Sequence, residues 1–411
     1  MNPTDNKPKL IFLWTYTNWG GAQIYFFAIM KLAREEWDIV VALPRNSKSD
    51  LLTFLDQLGI RYELLDWHFD PLEETTFIGK LRRQIARARS EVATLRYLGR
   101  FDLSKSVLHI EVAPWQSWLL LLALAVRRAN VFATLHNFRP SIALWRRLIW
   151  KIRLQIVSRL PGFHIFTSNI DTKENLKEWV TPKFWGQIPV TYTCVDPDEI
   201  RQAQAAAFDR DSERSRLGIH PNAFVVLSVG QFIDRKGRWT LLEAAKAAAV
   251  DASDIVFVWV MPEEPSEEDR IRIESNGLGS RFVPVLSSSR GNDRLAILTF
   301  FRVADAFALP SFVEGLPIAL LEAMAMRIPS ISTNVYAIPE AITDEETGLL
   351  IEAGDSDALA ASILRIRNEV ELRERIARSG SLFVLENFDE RVAASICIDS
   401  YLRALSDRGR Y

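Results

Sequence analysis

Short apolar runs recur along the chain with helix-length segments between them. Residues 10–14 read as a buried strand, followed by a Gly-containing turn at 18–21 and helical spacing over 22–35. Strand patterns return at 38–43, 61–65, 106–110, 131–135 and 162–167, with a polar-started helix at 48–58. The same pattern restarts at 223–229, ending on Gly230, and continues with a helix over 239–250 and a strand over 254–260. Beyond it come a strand at 281–285, a helix at 293–301, a strand at 304–309, a helix at 317–325 and another strand beginning at 330–332. Strands that alternate with helices of this length imply parallel β-α-β units. Two doubly wound halves are therefore expected. They join near 195–201, beside Asp196-Pro197-Asp198, and residues 201–216 open the second half as one helix. The expected domains are 1–197, 198–385 and a C-terminal helix in 386–411.

Composition narrows the function. A chain of 411 residues, 48% hydrophobic and 25% charged, is globular and large enough for two or three domains. Cys194 and Cys397 lie too far apart for a disulfide framework or a zinc-finger spacing. The histidines (His68, His109, His136, His164 and His220) form no H-x-x-x-H pair, so no metal site is expected. The polar start and the short run at 10–14 do not make a secretion signal. The longest apolar run, 118–126, is far below the roughly 20 residues of a spanning helix. These features read as cytoplasmic. A net charge of −2 does not point to nucleic acid. It is unevenly divided, with 26 basic and 20 acidic side chains in residues 1–200 against 24 and 32 in the remainder.

Rossmann-like halves suggest a nucleotide, bound at the carboxyl ends of the strands in a cleft between the domains. The turn after the first strand is Asn18-Trp19-Gly20-Gly21-Ala22-Gln23, not G-x-G-x-x-G, and no P-loop motif occurs anywhere. The most informative segment runs from Ala304 to Met324. A buried strand ends at Leu309, a loop carries Glu314, and a helix begins with Pro317 near its first position, so the N–H groups of Ile318 and Ala319 lack intrahelical partners and form a phosphate cradle. Glu322 follows on that helix. A carboxylate accepts hydrogen bonds from both hydroxyls of a cis-diol, so one Glu suits a ribose and the other a hexose. The arrangement fits a nucleoside diphosphate sugar.

These residues resemble the retaining GT-B glycosyltransferases of family four, the glycosyl transferases group one. The E-x7-E pair Glu314–Glu322 sits in the family's wording, the following 328–355 continue it, and Gly230-Gln231-Phe232-Ile233-Asp234-Arg235-Lys236-Gly237 is similar to its "VGR…KG" strand end. Weaker matches fall in order in the first half, at Gly20-Gly21-Ala22 and Thr134-Leu135-His136-Asn137. The resemblance implies an α/β GT-B fold, two Rossmann-like doubly wound domains facing a central cleft, with the last helix crossing back to the N-terminal domain. It implies that Lys236 binds the donor diphosphate and stabilises its developing charge. Glu322 would hold the ribose and Glu314 the donor hexose, with Gly315, Leu316 and Ile318 completing the donor loop. Gly20 and Gly21 would let the first loop approach phosphates and sugar, and His136 would lie near the reacting sugar or acceptor. Lys236, Glu314 and His136 are then the catalytic set. The family retains anomeric configuration with neither metal nor cofactor. The donor is expected to be UDP- or GDP-linked and the acceptor a glycan or a lipid-linked molecule, in cell-surface polysaccharide, lipopolysaccharide or glycolipid synthesis.

Departures from the family pattern are informative. Its Arg after "VG" is Gln231 here, with Arg235 nearby to replace the charge, and the Gly-rich turn after the next strand reads Val260-Met261-Pro262-Glu263-Glu264-Pro265. Tyr336-Ala337 stands for the usual Gly-Gly, and Tyr192-Thr193-Cys194-Val195-Asp196 for the linker signature. Two other readings stay open: a GT-B sugar-nucleotide epimerase, and a catalytically silent sugar-nucleotide-binding scaffold. Residues 112–170 contain no acidic side chain but eight basic ones and Trp115, Trp118, Trp145 and Trp150. Residues 142–160 set aliphatics and Trp at helical spacing against Arg, and 80–100 hold seven basic residues against Glu91. A peripheral contact with anionic membrane, on the inner face of the cell membrane, is the expectation from this patterning.

Overall fold

The computed structural model describes residues 7–408, apart from 16, 18–19, 68–75 and 292 and the side chains of 50, 77 and 408. Asn18 and Trp19 of the first turn, and His68, lie outside the described residues. The chain divides into two compact units, Met1–Tyr192 with Arg391–Tyr411, and Thr193–Glu390.

Unit 1 alternates strand and helix up to its sixth strand: β1 (Lys9–Leu13), α1 (Gly21–Ala33), β2 (Asp38–Pro44), α2 (Ser49–Gln57), β3 (Arg61–Leu65), α3 (Phe77–Leu98), β4 (Ser106–Ile110), α4 (Trp118–Val126), β5 (Asn130–Leu135), α5 (Leu144–Val157) and β6 (Phe163–Thr167), followed by α6 (Ile170–Leu176) and α7 (Pro182–Gly186). The six strands are parallel in the order β3-β2-β1-β4-β5-β6. Apolar residues cover both sheet faces. Phe12, Phe26, Val41 and Tyr401 belong to the core on one side, and Ile11, Leu108, Leu121 and Leu154 to the core on the other. That two-sided burial is why the inner strands read as largely apolar runs rather than alternating ones, whereas the edge strand β3 is only partly covered.

Unit 2 contains α8 (Pro197–Ala205), α9 (Arg210–Arg216), β7 (Phe224–Val229), α10 (Arg238–Asp251), β8 (Ile255–Met261), α11 (Glu267–Glu274), β9 (Phe282–Leu286), α12 (Arg294–Phe301), β10 (Ala306–Leu309), α13 (Ile318–Ala325), β11 (Ser330–Thr333), β12 (Leu349–Ile351), α14 (Ser356–Asn368) and α15 (Val370–Asn387). Its parallel sheet runs β12-β11-β10-β7-β8-β9, the same winding as unit 1. Strand β8, Ile-Val-Phe-Val-Trp-Val-Met, is buried at every position. The last helix, α16 (Glu390–Arg408), lays Tyr401 and Cys397 into unit 1's core.

Two expectations are corrected. Residues 201–216 form two helices, because Ala206 leaves the helical conformation and Asp209 caps a new start. Its Oδ1 accepts from the Asp211 and Ser212 amides at 3.1 and 3.2 Å. Strand β12 was not anticipated, since three apolar residues carry no periodicity. Among the described residues no helix is long and apolar enough to cross a membrane.

Candidate functional site

In unit 2 the strand order reverses between β7 and β10, and open α/β sheets hold ligands at the carboxyl ends of strands at such a point. Both informative segments leave the sheet there. After β7 the chain turns through Gly230, whose φ is +144° and whose carbonyl accepts from the Trp259 indole at 2.9 Å. A short 3-10 turn, Asp234–Lys236, then ends on Gly237 at φ +73°. A Cβ on Gly237 would lie 1.8 Å from the Pro310 carbonyl oxygen. Glycine is therefore required twice over, by backbone conformation and by the close approach of the β10 loop. The Phe312 amide donates to the Arg235 carbonyl at 2.8 Å and ties the two loops together.

That approach brings Lys236 and Glu314, 78 residues apart, into a direct ion pair. Glu314 is only 6% exposed, and its Oε1 also accepts from Ser311 Oγ at 2.9 Å. Arg235 stands 3.9 Å from Oε2 and 3.4 Å from the Gln231 side-chain oxygen. The loop is braced from the next strand, where Thr333 Oγ1 donates to the Ser311 carbonyl at 2.6 Å and Ser332 Oγ to the Leu309 carbonyl at 2.7 Å. Gly315 and the buried Leu316 lead into α13. Pro317 is its N-cap and offers no side-chain cap, so the first-turn amides of Ile318 and Ala319 stay open to a ligand.

Glu322, the second carboxylate, is 2% exposed on α13 and has a different partner. Arg294, opening α12, pairs directly with Glu322 and reaches Glu199 of α8 at 3.3 Å. Burial pushes the Glu322 carboxyl up, the Arg294 charge pulls it back, and the guanidinium itself is held protonated. Nothing in the sequence announced Arg294, because a partner 28 residues distant leaves no local signature.

Gly20, Gly21 and His136 belong to unit 1. Gly20 caps α1 with extended backbone (φ −172°), which any residue adopts, and Gly21 is the first residue of that helix. His136 follows β5. Burial lowers its imidazole to about 4, and its Nε2 has no hydrogen-bond partner among the described residues. Sequence reasoning missed Glu111. It follows β4 directly, its amide donates to the Leu13 carbonyl at 3.0 Å, and it lies where unit 1's own strand order reverses. The side chain is 8% exposed, burial raises its pKa well above the carboxylate range, and Oε2 is unpartnered among the described residues. An acidic residue immediately after a fully buried strand was the available signal.

Two Rossmann-like units of identical winding, the second with this loop pair at its reversal point, define the GT-B class of α/β protein. The match to a known family falls on that second unit: residues 209–382 fit the model described as glycosyl transferases group 1. Among curated proteins the chain is 26% identical over 233 residues to the lipopolysaccharide core biosynthesis glycosyltransferase LpsD of Rhizobium meliloti, covering 53% of this chain and 65% of that protein. It is 28% identical over 204 residues to a D-inositol 3-phosphate glycosyltransferase of Paenarthrobacter aurescens, covering 48% of each. The alignments thus span from about half to just under two thirds of those relatives. The fold is shared with the crystal structure of Anabaena HepE in complex with UDP-glucose, at a TM-score of 0.74 and 17% identity, covering 96% of this chain and 99% of that one.

Proposed function

We propose that the protein is a retaining glycosyltransferase that moves a hexose from a nucleoside diphosphate sugar to an acceptor hydroxyl. The observation that carries this reading is the buried Lys236–Glu314 pair at the reversal point of unit 2, beside the uncapped start of α13. The donor diphosphate sits against Lys236, Arg235 and the Ile318 and Ala319 amides, where cationic and dipolar groups stabilise the charge that develops as the sugar leaves. Glu322 takes the ribose diol and Glu314 the hexose hydroxyls. The anomeric C–O bond to phosphate breaks, the acceptor oxygen bonds to that carbon on the same face, and the acceptor proton goes to the leaving phosphate oxygen. Roles for Gly20, Gly21 and His136 at the sugar and acceptor rest on family resemblance. The LpsD and HepE likenesses support a UDP-linked donor and a cell-surface glycan or lipid-linked acceptor.

Peripheral attachment to the inner face of the membrane belongs to the same reading, and what supports it is the outer surface of α3, α4 and α5. Helix α5 exposes Leu144 (82%), Trp145 (65%), Leu148 (61%) and Ile152 (51%), among Arg146, Arg147 and Lys151. Single exposed leucines are ordinary, but four on one helix face are not. Helix α3 adds Ile78, Leu81, Ile85 and Val92, and α4 adds Leu119 and Val126. The three helices form one layer: Arg127 Nη1 donates to the Leu95 carbonyl at 2.8 Å, and the Trp115 and Trp150 rings stack at 5.2 Å. An apolar face bordered by cations fits an anionic bilayer surface.

A thermal-shift screen of UDP, GDP and their hexose conjugates tests the donor assignment, followed by release of nucleoside diphosphate with and without glycan acceptor. One base family should stabilise the protein. Stabilisation by none of them, with no release, overturns the proposal. Conversion of the donor without acceptor would instead favour an epimerase.

A further inference from the structure

A second cluster of charge lies at the opposite edge of the unit 2 sheet. A cavity of about 560 Å³ opens at the amino ends of β10 and β11, lined by Arg210, Arg302, Arg327 and Arg373 together with Asp305 and Glu374. The charges do not cancel. Asp305 is already committed, its Oδ2 to buried Arg214 at 2.6 Å and to the Val225 amide at 2.8 Å, and its Oδ1 to Arg210 at 2.7 Å. With Arg214 offsetting Asp305, four guanidinium groups face one carboxylate, Glu374.

Three of the arginines are held in place by backbone carbonyls through one nitrogen each. Arg210 Nη2 donates to Ala304 O at 2.9 Å, Arg302 Nη1 to Ala206 O at 2.7 Å, and Arg373 Nη1 to Arg367 O at 3.1 Å. A guanidinium has five N–H donors in a rigid fork, so each keeps donors for a ligand after its orientation is set. Arg327 differs. It follows the C-cap of α13 at φ +62°, a position where helices commonly place glycine. A side chain there is strained, and among the described residues this one has no hydrogen-bond or ion-pair partner for its guanidinium. An exposed arginine with a strained backbone, beside three preoriented ones, is strain without an internal gain.

We propose that this cavity binds a phosphate-bearing ligand, with Arg327 and Arg373 donating to the phosphate oxygens between Arg210 and Arg302. Planar forks match phosphate bidentately, and three uncompensated positive charges suit a dianion better than a carboxylate. The volume accommodates a sugar phosphate or a comparable headgroup. The site is separate from the donor loops, which leave the carboxyl end of β10. The four residues of that strand set the two sites roughly 13 Å apart at the usual rise per residue. It does not depend on the glycosyltransferase reading.

The test uses the full chain carrying Lys236→Ala, so that phosphate bound at the donor loop does not interfere. Inorganic phosphate titrated by calorimetry should bind one site saturably. Arg327→Gly should weaken it by about tenfold or more, the loss of one charge-assisted bidentate contact, while leaving the unfolding temperature unchanged or raised because the backbone strain is removed. Arg373→Gln, away from that turn, should weaken it likewise. Flotation with phosphatidic acid vesicles separates the sources: binding reduced by Arg327→Gly identifies a lipid phosphate, and vesicle binding indifferent to it identifies a free phosphorylated molecule. Equal phosphate affinity in parent and both variants, or no saturable binding, overturns the proposal.

Discussion

Lys236 and Glu314 lie at the ends of two different β-α loops, 78 residues apart, yet they form a direct, largely buried ion pair. Each is the other's main counter-charge, so removing Lys236 leaves the nearly buried Glu314 with only the more distant Arg235, at 3.9 Å. Lys236→Ala is expected to lower nucleoside diphosphate affinity by about 10²-fold, comparable to losing one preorganised donor at a developing anion. Glu314→Gln, which can still accept from Ser311, should leave nucleoside diphosphate affinity within about threefold while weakening the full sugar nucleotide. Ratios from calorimetry with both ligands check this. Equal losses for both ligands in Glu314→Gln would remove Glu314 from the hexose.

Gly237 makes that pairing geometrically feasible. An alanine there would place its Cβ 1.8 Å from the Pro310 carbonyl oxygen at a φ of +73°. No flexible side chain is available to give way, so the β10 loop itself must move. Gly237→Ala should cost about 3 kcal/mol or more, at the upper end for single substitutions. It should also uncouple Lys236 from Glu314. Urea unfolding measures the first, and donor affinity the second. A variant of unchanged stability would show that the loops are not locked together as described.

Much of this was legible in advance for a simple reason. Strands buried on both faces become uninterrupted apolar runs, so β4 was located to the residue, and β5, β7 and β8 to within one. The E-x7-E loop was legible because strand, loop and helix lie consecutively in the chain. The relationships that organise the site were not, because they join distant segments. Arg294 meets Glu322 from another helix, and Glu111 gains its meaning only from the neighbouring strand that buries it. Even a single break, such as the one before Asp209, was hidden in a charged stretch with good helix formers on both sides.

Arg294 yields a prediction that separates stability from binding. Arg294→Met leaves Glu322 buried beside Glu199 with no cation, and should cost about 3–5 kcal/mol. The double variant Arg294→Met with Glu322→Leu removes charge on both sides and should recover most of that loss. It should still bind nucleoside diphosphate poorly, because the diol acceptor is gone. Discrimination between ribo- and 2′-deoxyribonucleotides, measured by competition, should disappear in it. Retained discrimination would show that Glu322 does not contact the ribose.

Unit 1 holds a buried imidazole whose titration is opposed by the fold. His109 Nδ1 lies 2.5 Å from Tyr401 Oη on α16, and its Nε2 lies 2.9 Å from Thr134 Oγ1. Burial lowers its pKa from the ordinary 6.5 to about 3. The unfolded chain therefore takes up a proton below pH 6.5 that the folded chain refuses until about pH 3. Stability should be flat in this respect above 6.5 and fall between 6.5 and 3, by about 1.4 kcal/mol per pH unit for this group. In His109→Asn that part of the slope should vanish, leaving the similar contribution of His136 over this range. Urea midpoints at pH 7.5 and 5.0 measure the difference. Equal slopes in both proteins would mean that His109 is protonated in the fold.

The apolar layer of α3, α4 and α5 predicts lipid-selective binding. Seating one large aliphatic side chain in the interface contributes up to about 1.5–3 kcal/mol, and each nearby Lys or Arg about 1 kcal/mol on anionic lipid. Leu148→Glu with Ile152→Glu removes two such contacts and halves the positive charge of α5, yet touches nothing in the unit 1 core. Flotation should show wild type on anionic vesicles and not on neutral ones. The double variant should lose at least about 10²-fold in partitioning, since the lost contacts exceed 2.7 kcal/mol, with unfolding temperature and soluble-donor binding unchanged. Raising salt from 0.1 to 0.5 M should weaken wild-type binding without abolishing it, because screening acts on the arginines but not on the buried aliphatics. Equal partitioning of wild type and variant, or none on either vesicle, would remove the membrane from the function of this face.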